Sequence, residues 1–226
     1  MQSMKLALLT AAIGLPLATP AAATEDDLNV WAGQFVTIDL GEDSDWYLRG
    51  EAQERFTNDA DRLGQLLLRG FVGYRITDKV NIGGGYAYIL TDPVGPVKTN
   101  EYRFYQELNV RLIERDGVTL DSRTRLEQRT FEVGDGTSWR FRNFVQLRVP
   151  ITENNKLNLY TEPFIELNDT QFQSGGLSVW RNFVGVTVPL GDNVTMVPGY
   201  LNQTVFRDGQ ENRMDHVANV NVFMSF

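Results

Sequence analysis

Along most of this chain apolar and polar residues alternate with a period of two, the repeat of a strand whose faces meet different surroundings. Eleven runs carry the pattern: about 28–40, 45–56, 63–76, 79–91, 101–115, 118–133, 138–151, 156–168, 177–190, 193–206 and 213–226. Polar clusters such as Gly41-Glu42-Asp43-Ser44, Thr77-Asp78-Lys79, Arg115-Asp116-Gly117, Thr152-Glu153-Asn154-Asn155 and Gly191-Asp192 separate them. These residue types tolerate left-handed backbone or bond to their own main chain, so they read as turns. No segment sustains a helical apolar stripe, and no linker interrupts the pattern. The chain reads as one all-β domain.

The two faces differ in chemistry as well as in hydropathy. In 101–115, Tyr102, Phe104, Leu108, Val110 and Leu112 share one face, and Arg103, Tyr105, Glu107, Asn109 and Arg111 the other. Asp121, Arg123, Arg125, Glu127 and Arg129 align on one side of 118–133. In 138–151, Arg140, Arg142, Gln146 and Arg148 oppose Trp139, Phe141, Val145, Leu147 and Val149. A soluble sandwich would turn the apolar face inward, whereas a membrane barrel turns its charges into the lumen. Alternation fits both, but strand length discriminates. Runs of 12–16 residues exceed the roughly 5–6 of globular strands, and a tilted strand crosses a bilayer in roughly 9–11.

The expected fold is therefore an antiparallel up-and-down transmembrane β-barrel of 10–12 strands. Bacterial single-chain barrels have even strand numbers, and eleven runs are odd. Either a strand is missing from the count, or 28–40 is not part of the wall. Twelve is the preferred number and ten the alternative.

Both ends of the chain bear on location. Lys5 precedes an apolar stretch from Leu6 to Leu17, then Ala18-Thr19-Pro20-Ala21-Ala22-Ala23. That order describes a signal peptide over 1–23, with the barrel over 24–226. At the other end His216, Ala218, Val220, Val222, Met224 and Phe226 form one face. A terminal aromatic preceded by apolar residues at two, four and six positions resembles the address read by the outer-membrane assembly machinery. Phe226 is thus the candidate assembly signal. That machinery and outer-membrane lipid are the expected partners, and the bacterial outer membrane the expected location.

Composition removes alternatives. There is no cysteine, so no disulfide framework holds an exported fold together. A formal charge of −8 argues against nucleic acid as a partner. The mean hydropathy of −0.27 looks soluble, but only alternate barrel residues face lipid.

One resemblance is specific enough to name. Asn100-Glu101-Tyr102-Arg103-Phe104-Tyr105-Gln106-Glu107-Leu108 is followed by Ser122-Arg123-Thr124-Arg125-Leu126-Glu127-Gln128-Arg129, Arg140-Phe141-Arg142-Asn143 and Glu162-Pro163-Phe164. Arg181-Asn182 and Gly199-Tyr200 come later. This order resembles a bacterial family of unknown function, DUF2490, described as outer-membrane proteins. The resemblance spans essentially the whole chain after the leader. It implies an outer-membrane β-barrel and brings no activity or catalytic residues.

The candidate chemistry lies on the charged faces. Arg103, Arg111, Arg123, Arg125, Arg129, Arg140, Arg142 and Arg148 fall on three consecutive strands and point the same way, with Glu107 and Glu127 between them. Glu51, Glu162, Glu166 and Asp215 would contribute carboxylates. Unpaired burial is costly, so these groups form either an ion-pair plug or an anion-selective lining. The expected role is a minor, anion-preferring channel or a structural envelope protein. On the channel reading, exchanging Arg125 and Arg142 for Glu should reverse any ion preference. A lipid-modifying enzyme at the outer rim and a soluble periplasmic ligand-binding barrel are the alternatives.

An enzyme would need a nucleophile beside the single histidine, His216, whose face neighbours are Met214 and Ala218. With one histidine and no cysteine there is no zinc spacing, and no cofactor or metal is expected. Three further features bear on the wall. Pro163 and Pro198 would break a ladder unless a bulge absorbs them, and Gly83-Gly84-Gly85 marks a bend or the close approach of a bulky lumen group. Trp31, Trp46, Trp139 and Trp180 suit an interfacial girdle.

Overall fold

The computed structural model describes residues 26–92 and 98–226, so the expected signal peptide lies outside the described residues. The elements are β1 (Asp26–Asp39), β2 (Trp46–Thr57), β3 (Arg62–Thr77), β4 (Val80–Thr91), β5 (Thr99–Arg115) and β6 (Val118–Phe131). There follow β7 (Ser138–Pro150), β8 (Lys156–Glu166), β9 (Gly176–Pro189), β10 (Val194–Val205) and β11 (Arg213–Ser225). Each strand pairs with its sequence neighbours, and β1 closes the ring against β11.

The strand number settles the parity problem in neither expected way. Segment 28–40 is wall, and the described residues form eleven strands rather than twelve or ten. An odd number of hairpin-linked strands leaves the first and last pointing the same way, so the closing pair must be parallel. Asp26 pairs with Met214 and the register runs unbroken to Thr37 opposite Ser225. Every other pair is antiparallel. One end of the barrel carries the connections 58–61, 132–137, 167–175 and 206–212, and there β1 starts, β4 ends and β5 begins. The other carries 40–45, 78–79, 116–117, 151–155 and 190–193, together with the terminal Phe226. We call these the loop end and the turn end.

The alternation sorts the residues as a barrel requires. Leu48, Leu68, Val72, Phe104, Leu108, Leu112 and Val184 face outward and are exposed, while Glu107, Arg125, Glu127, Arg142 and Glu162 point inward and are buried. Two apolar clusters share the interior with these charges. One joins Tyr47, Leu67, Phe71, Ala87, Ile89 and Tyr105 on β2 to β5. The other joins Trp31, Phe183, Val197, Leu201 and Val217 on β1 and β9 to β11, with Tyr160 packed against it.

The prolines and glycines have local explanations. Pairing of β8 with β7 skips from Phe164 opposite Arg142 to Thr161 opposite Val145, so the ladder opens beside Pro163 without a change of register. Pairing of β10 with β9 skips in the same way between Met196 and Gly199, across Pro198. A two-pair gap accommodates each missing donor, and no bulge is needed on that side. The glycines fit the close-approach reading: a Cβ on Gly85 would lie 2.4 Å from the Tyr105 ring and 2.5 Å from the Gly70 carbonyl oxygen. One on Gly83 would meet Phe71 at 2.4 Å. The bare β4 wall is what lets these rings lie flat inside.

Candidate functional site in the charged interior

All ten expected lumen residues point into the barrel, and β5, β6, β7 and β8 bring them together. Two-residue spacing keeps charges on one face of each strand, and the register then sets them level with partners on the next. Glu107 opposes Arg125 across β5 and β6, and Glu127 opposes Arg140 across β6 and β7. Arg125 donates to Glu107 from Nε at 2.9 Å and from Nη2 at 2.5 Å, and Arg49 reaches the other oxygen at 2.8 Å.

Glu127, only 1% exposed, is the centre of the network. Arg140 donates to it from Nε at 2.9 Å and from Nη2, and Arg142 from Nη1 at 2.8 Å. Arg125 and Arg103 approach it to 3.6 and 4.0 Å. Arg142 also bonds Glu162 at 2.7 Å, and Arg123 joins the same carboxylate at 3.1 Å.

The network extends toward both ends. Near the loop end Glu101 holds Arg103 and Arg129, each at 2.6 Å, while Glu166 lies 3.4 Å from Arg129. At the turn end Asp121 accepts from Arg111 at 2.9 Å and Arg148 at 2.5 Å. Glu51, on the facing wall, pairs with Arg69. Such a network is stable only because nearly every lone pair and guanidinium has a partner, since an unpaired buried ion costs several kcal/mol. The ion-pair network occupies the β5–β8 side.

It does not fill the lumen. A cavity of about 660 Å³ opens at the loop end, lined by eight arginines against three carboxylates, Asp92, Glu101 and Asp215. A second of about 210 Å³ lies deeper, lined from every strand except β4 and β5, and shares Trp31, Arg55, Arg69, Arg142 and Arg181 with the first. A third of about 310 Å³ lies at the turn end and shares Arg123, Phe144 and Gln146 with the second. The three are adjacent in series, and cations outnumber carboxylates in each lining. The whole chain carries −8, so the interior has the opposite sign to the molecule.

Two features of this route were not placed by the sequence: the inward position of Trp31 and the meeting of Arg55 and Arg181 over its ring. Trp31 is not in a girdle: it is 7% exposed and points inward, while Trp46 and Trp139 face outward, 50% and 39% exposed. The guanidiniums of Arg55 and Arg181 lie over its ring, 4.0 and 5.0 Å from the centroid. Arg181 follows Val179 and precedes Phe183 on its face, so a lone charge among apolar positions was the available signal.

The outer rim is simpler. His216 faces outward, and its Nδ1 lies 2.5 Å from the Tyr200 hydroxyl. Ser178 donates to Glu166 at 2.8 Å on a different strand pair. Among the described residues no cluster of three His, Asp or Glu side chains is placed to hold a metal. No helix of the described residues is long and apolar enough to cross a membrane, which says nothing of a barrel.

Comparison with known proteins gives a family. The family described as "Protein of unknown function (DUF2490)" matches residues 28–215. An uncharacterized protein of Methylorubrum extorquens is 32% identical over 126 residues, covering 56% of this chain and 55% of that protein. The match thus spans about half the length of that relative. A solved structure described as a bacterial polysaccharide outer membrane secretin superposes with a TM-score of 0.39 at 12% identity, over 77% of this chain and 73% of the other. That likeness is too distant to transfer a role.

Proposed function

The chain belongs to the DUF2490 family, matched over 28–215, and from its interior we propose that it is an outer-membrane barrel passing small anions. The observation that carries this reading is the series of three cavities, each with a surplus of cations, beside a network that holds the wall. Rings of arginine lower the energy of an anion in a narrow pore and raise that of a cation. Arg55 and Arg181 line the passage between the first two cavities, and Arg123 that between the second and third. The exposed apolar outer face supports a lipid environment, and the barrel's partners there would be lipid and the assembly machinery. The leader at 1–23 would direct export, with 24–226 forming the mature barrel. The long connections would face outward and the turn end the periplasm.

A closed structural barrel is the second reading, favoured by the density of ion pairs around Glu127. Planar-bilayer recording of the refolded protein under a salt gradient separates the two. Steady current reversing on the anion side is expected, with selectivity falling toward 1 in Arg123→Gln. Silent bilayers with verified insertion would leave the closed barrel. Placement is tested with single cysteines, for which the cysteine-free chain is suited. An impermeant maleimide should label Asp135→Cys on intact cells and spare Glu153→Cys.

A further inference from the structure

Arg55 and Arg181 stand apart from every other arginine in the loop-end cavity. Glu51 takes Arg69, Glu101 takes Arg103 and Arg129, Glu127 and Glu162 take Arg140 and Arg142, and Asp215 takes Arg213. Arg55 and Arg181 have no carboxylate within salt-bridge distance among the described residues. Their hydrogen bonds go to neutral groups, although Glu162 stands opposite Arg181 in the β8–β9 register. Arg55 donates to Gln65 at 2.8 Å and to Gln53 at 3.1 Å, and its buried Nε has no partner. Arg181 donates only Nε, to Gln203 at 2.8 Å, and its charge also lies 4.6 Å from the centroid of the Phe164 ring.

Two like charges over one indole repel each other, and the ring's negative face offsets only part of that cost. Glutamines, which bring oxygen acceptors without charge, orient both guanidiniums; Arg55 faces no carboxylate, and Glu162, opposite Arg181, is already held by Arg142 and Arg123. The cavity they border holds about 660 Å³, within the range of small-molecule sites, and adds Phe131, Phe164, Val179 and Val205 as apolar walls.

We propose that Arg55, Arg181 and Trp31 form a binding site for a small organic anion bearing a carboxylate or phosphate group. The guanidinium fork matches either group, and the anion would bring negative charge to two arginines that have no ion-pair partner among the described residues. The apolar walls then accept the organic part, which would favour an organic over an inorganic anion. The site is defined by its own contacts and does not require the barrel to conduct, so it stands or falls separately from transport.

The test uses the full barrel refolded in detergent, with Trp46, Trp139 and Trp180 replaced by Phe so that Trp31 alone reports. Titration with phenyl phosphate should change Trp31 fluorescence saturably, with inorganic phosphate binding at least about tenfold more weakly. Arg55→Gln and Arg181→Gln should each weaken phenyl phosphate by about tenfold or more, the loss expected for one charge-assisted contact. Arg148→Gln, at the turn end, should not change it. Both variants should also be at least as resistant to urea as the parent when no anion is present, because Arg55 has no carboxylate partner and Glu162 keeps Arg142 and Arg123 when Arg181 is made neutral. Absence of a saturable response in folded protein would overturn the site. So would unchanged affinity in both variants, or a marked loss of urea resistance in them, which would make the arginines structural.

Discussion

The backbone N–H of Phe226 donates to the carbonyl oxygen of Thr37 at 2.9 Å, so the last residue is bonded to the first strand. Asp39 returns a bond to the Phe226 carbonyl at 2.9 Å. The Phe226 ring itself is 64% exposed, and the nearby Phe35 and Phe223 rings stack at 4.6 Å. The carboxy-terminal residue therefore has two separable parts, a main chain in the seam and a side chain outside it.

That separation predicts two phenotypes. Phe226→Ala keeps both main-chain bonds, so the refolded variant should unfold in urea like the parent while its assembly in cells slows. Deleting Phe226 removes both bonds, each worth about 0.5–1.5 kcal/mol, and should lower urea resistance as well. Normal assembly of Phe226→Ala would remove the ring's role as an address.

The Glu127 carboxylate is the test of the ion-pair network. Glu127→Gln leaves Arg140 and Arg142 short of a buried counter-charge and should cost about 3–5 kcal/mol in urea unfolding. Glu114→Gln removes a pair with Arg111 whose carboxylate side chain is 50% exposed, and should cost less than about 1 kcal/mol. Equal losses would show that the network does not hold the wall. The same burial corrects the charge exchange expected from the sequence. Arg125 and Arg142 are 2% and 5% exposed and paired with Glu107, Glu127 and Glu162, so Glu at either position should prevent folding before selectivity is read. Arg123, whose side chain is 25% exposed, is the better probe.

The glycine wall of β4 gives a steric prediction. Gly85→Val should cost about 1–3 kcal/mol or more, because the new side chain meets both the Tyr105 ring and a fixed carbonyl. Gly50→Ala, which meets nothing within 4 Å, should unfold at nearly the parent urea concentration. A tolerant Gly85 would mean that Tyr105 does not rest on this wall.

What the sequence determined was everything carried by period two. Strand existence, the bounds of all eleven strands within about two residues, and the placing of Arg103 through Arg148 on one shared face follow from alternation, because successive side chains point to opposite faces. Family membership was legible in the same runs. The tertiary structure decided what depends on strands distant in sequence. A parallel β1–β11 seam replaced an even strand count, since closure is a property of the ring and leaves no mark on either strand. Trp31 moved from an expected girdle to the lumen because alternation does not say which face of a strand is inside until the ring closes. Register and side-chain reach decided which arginines found a carboxylate: Glu162 stands opposite Arg181 yet bonds Arg142 and Arg123, and Arg55 is left with glutamines, because pairing energies act across strands and the sequence records them only one strand at a time.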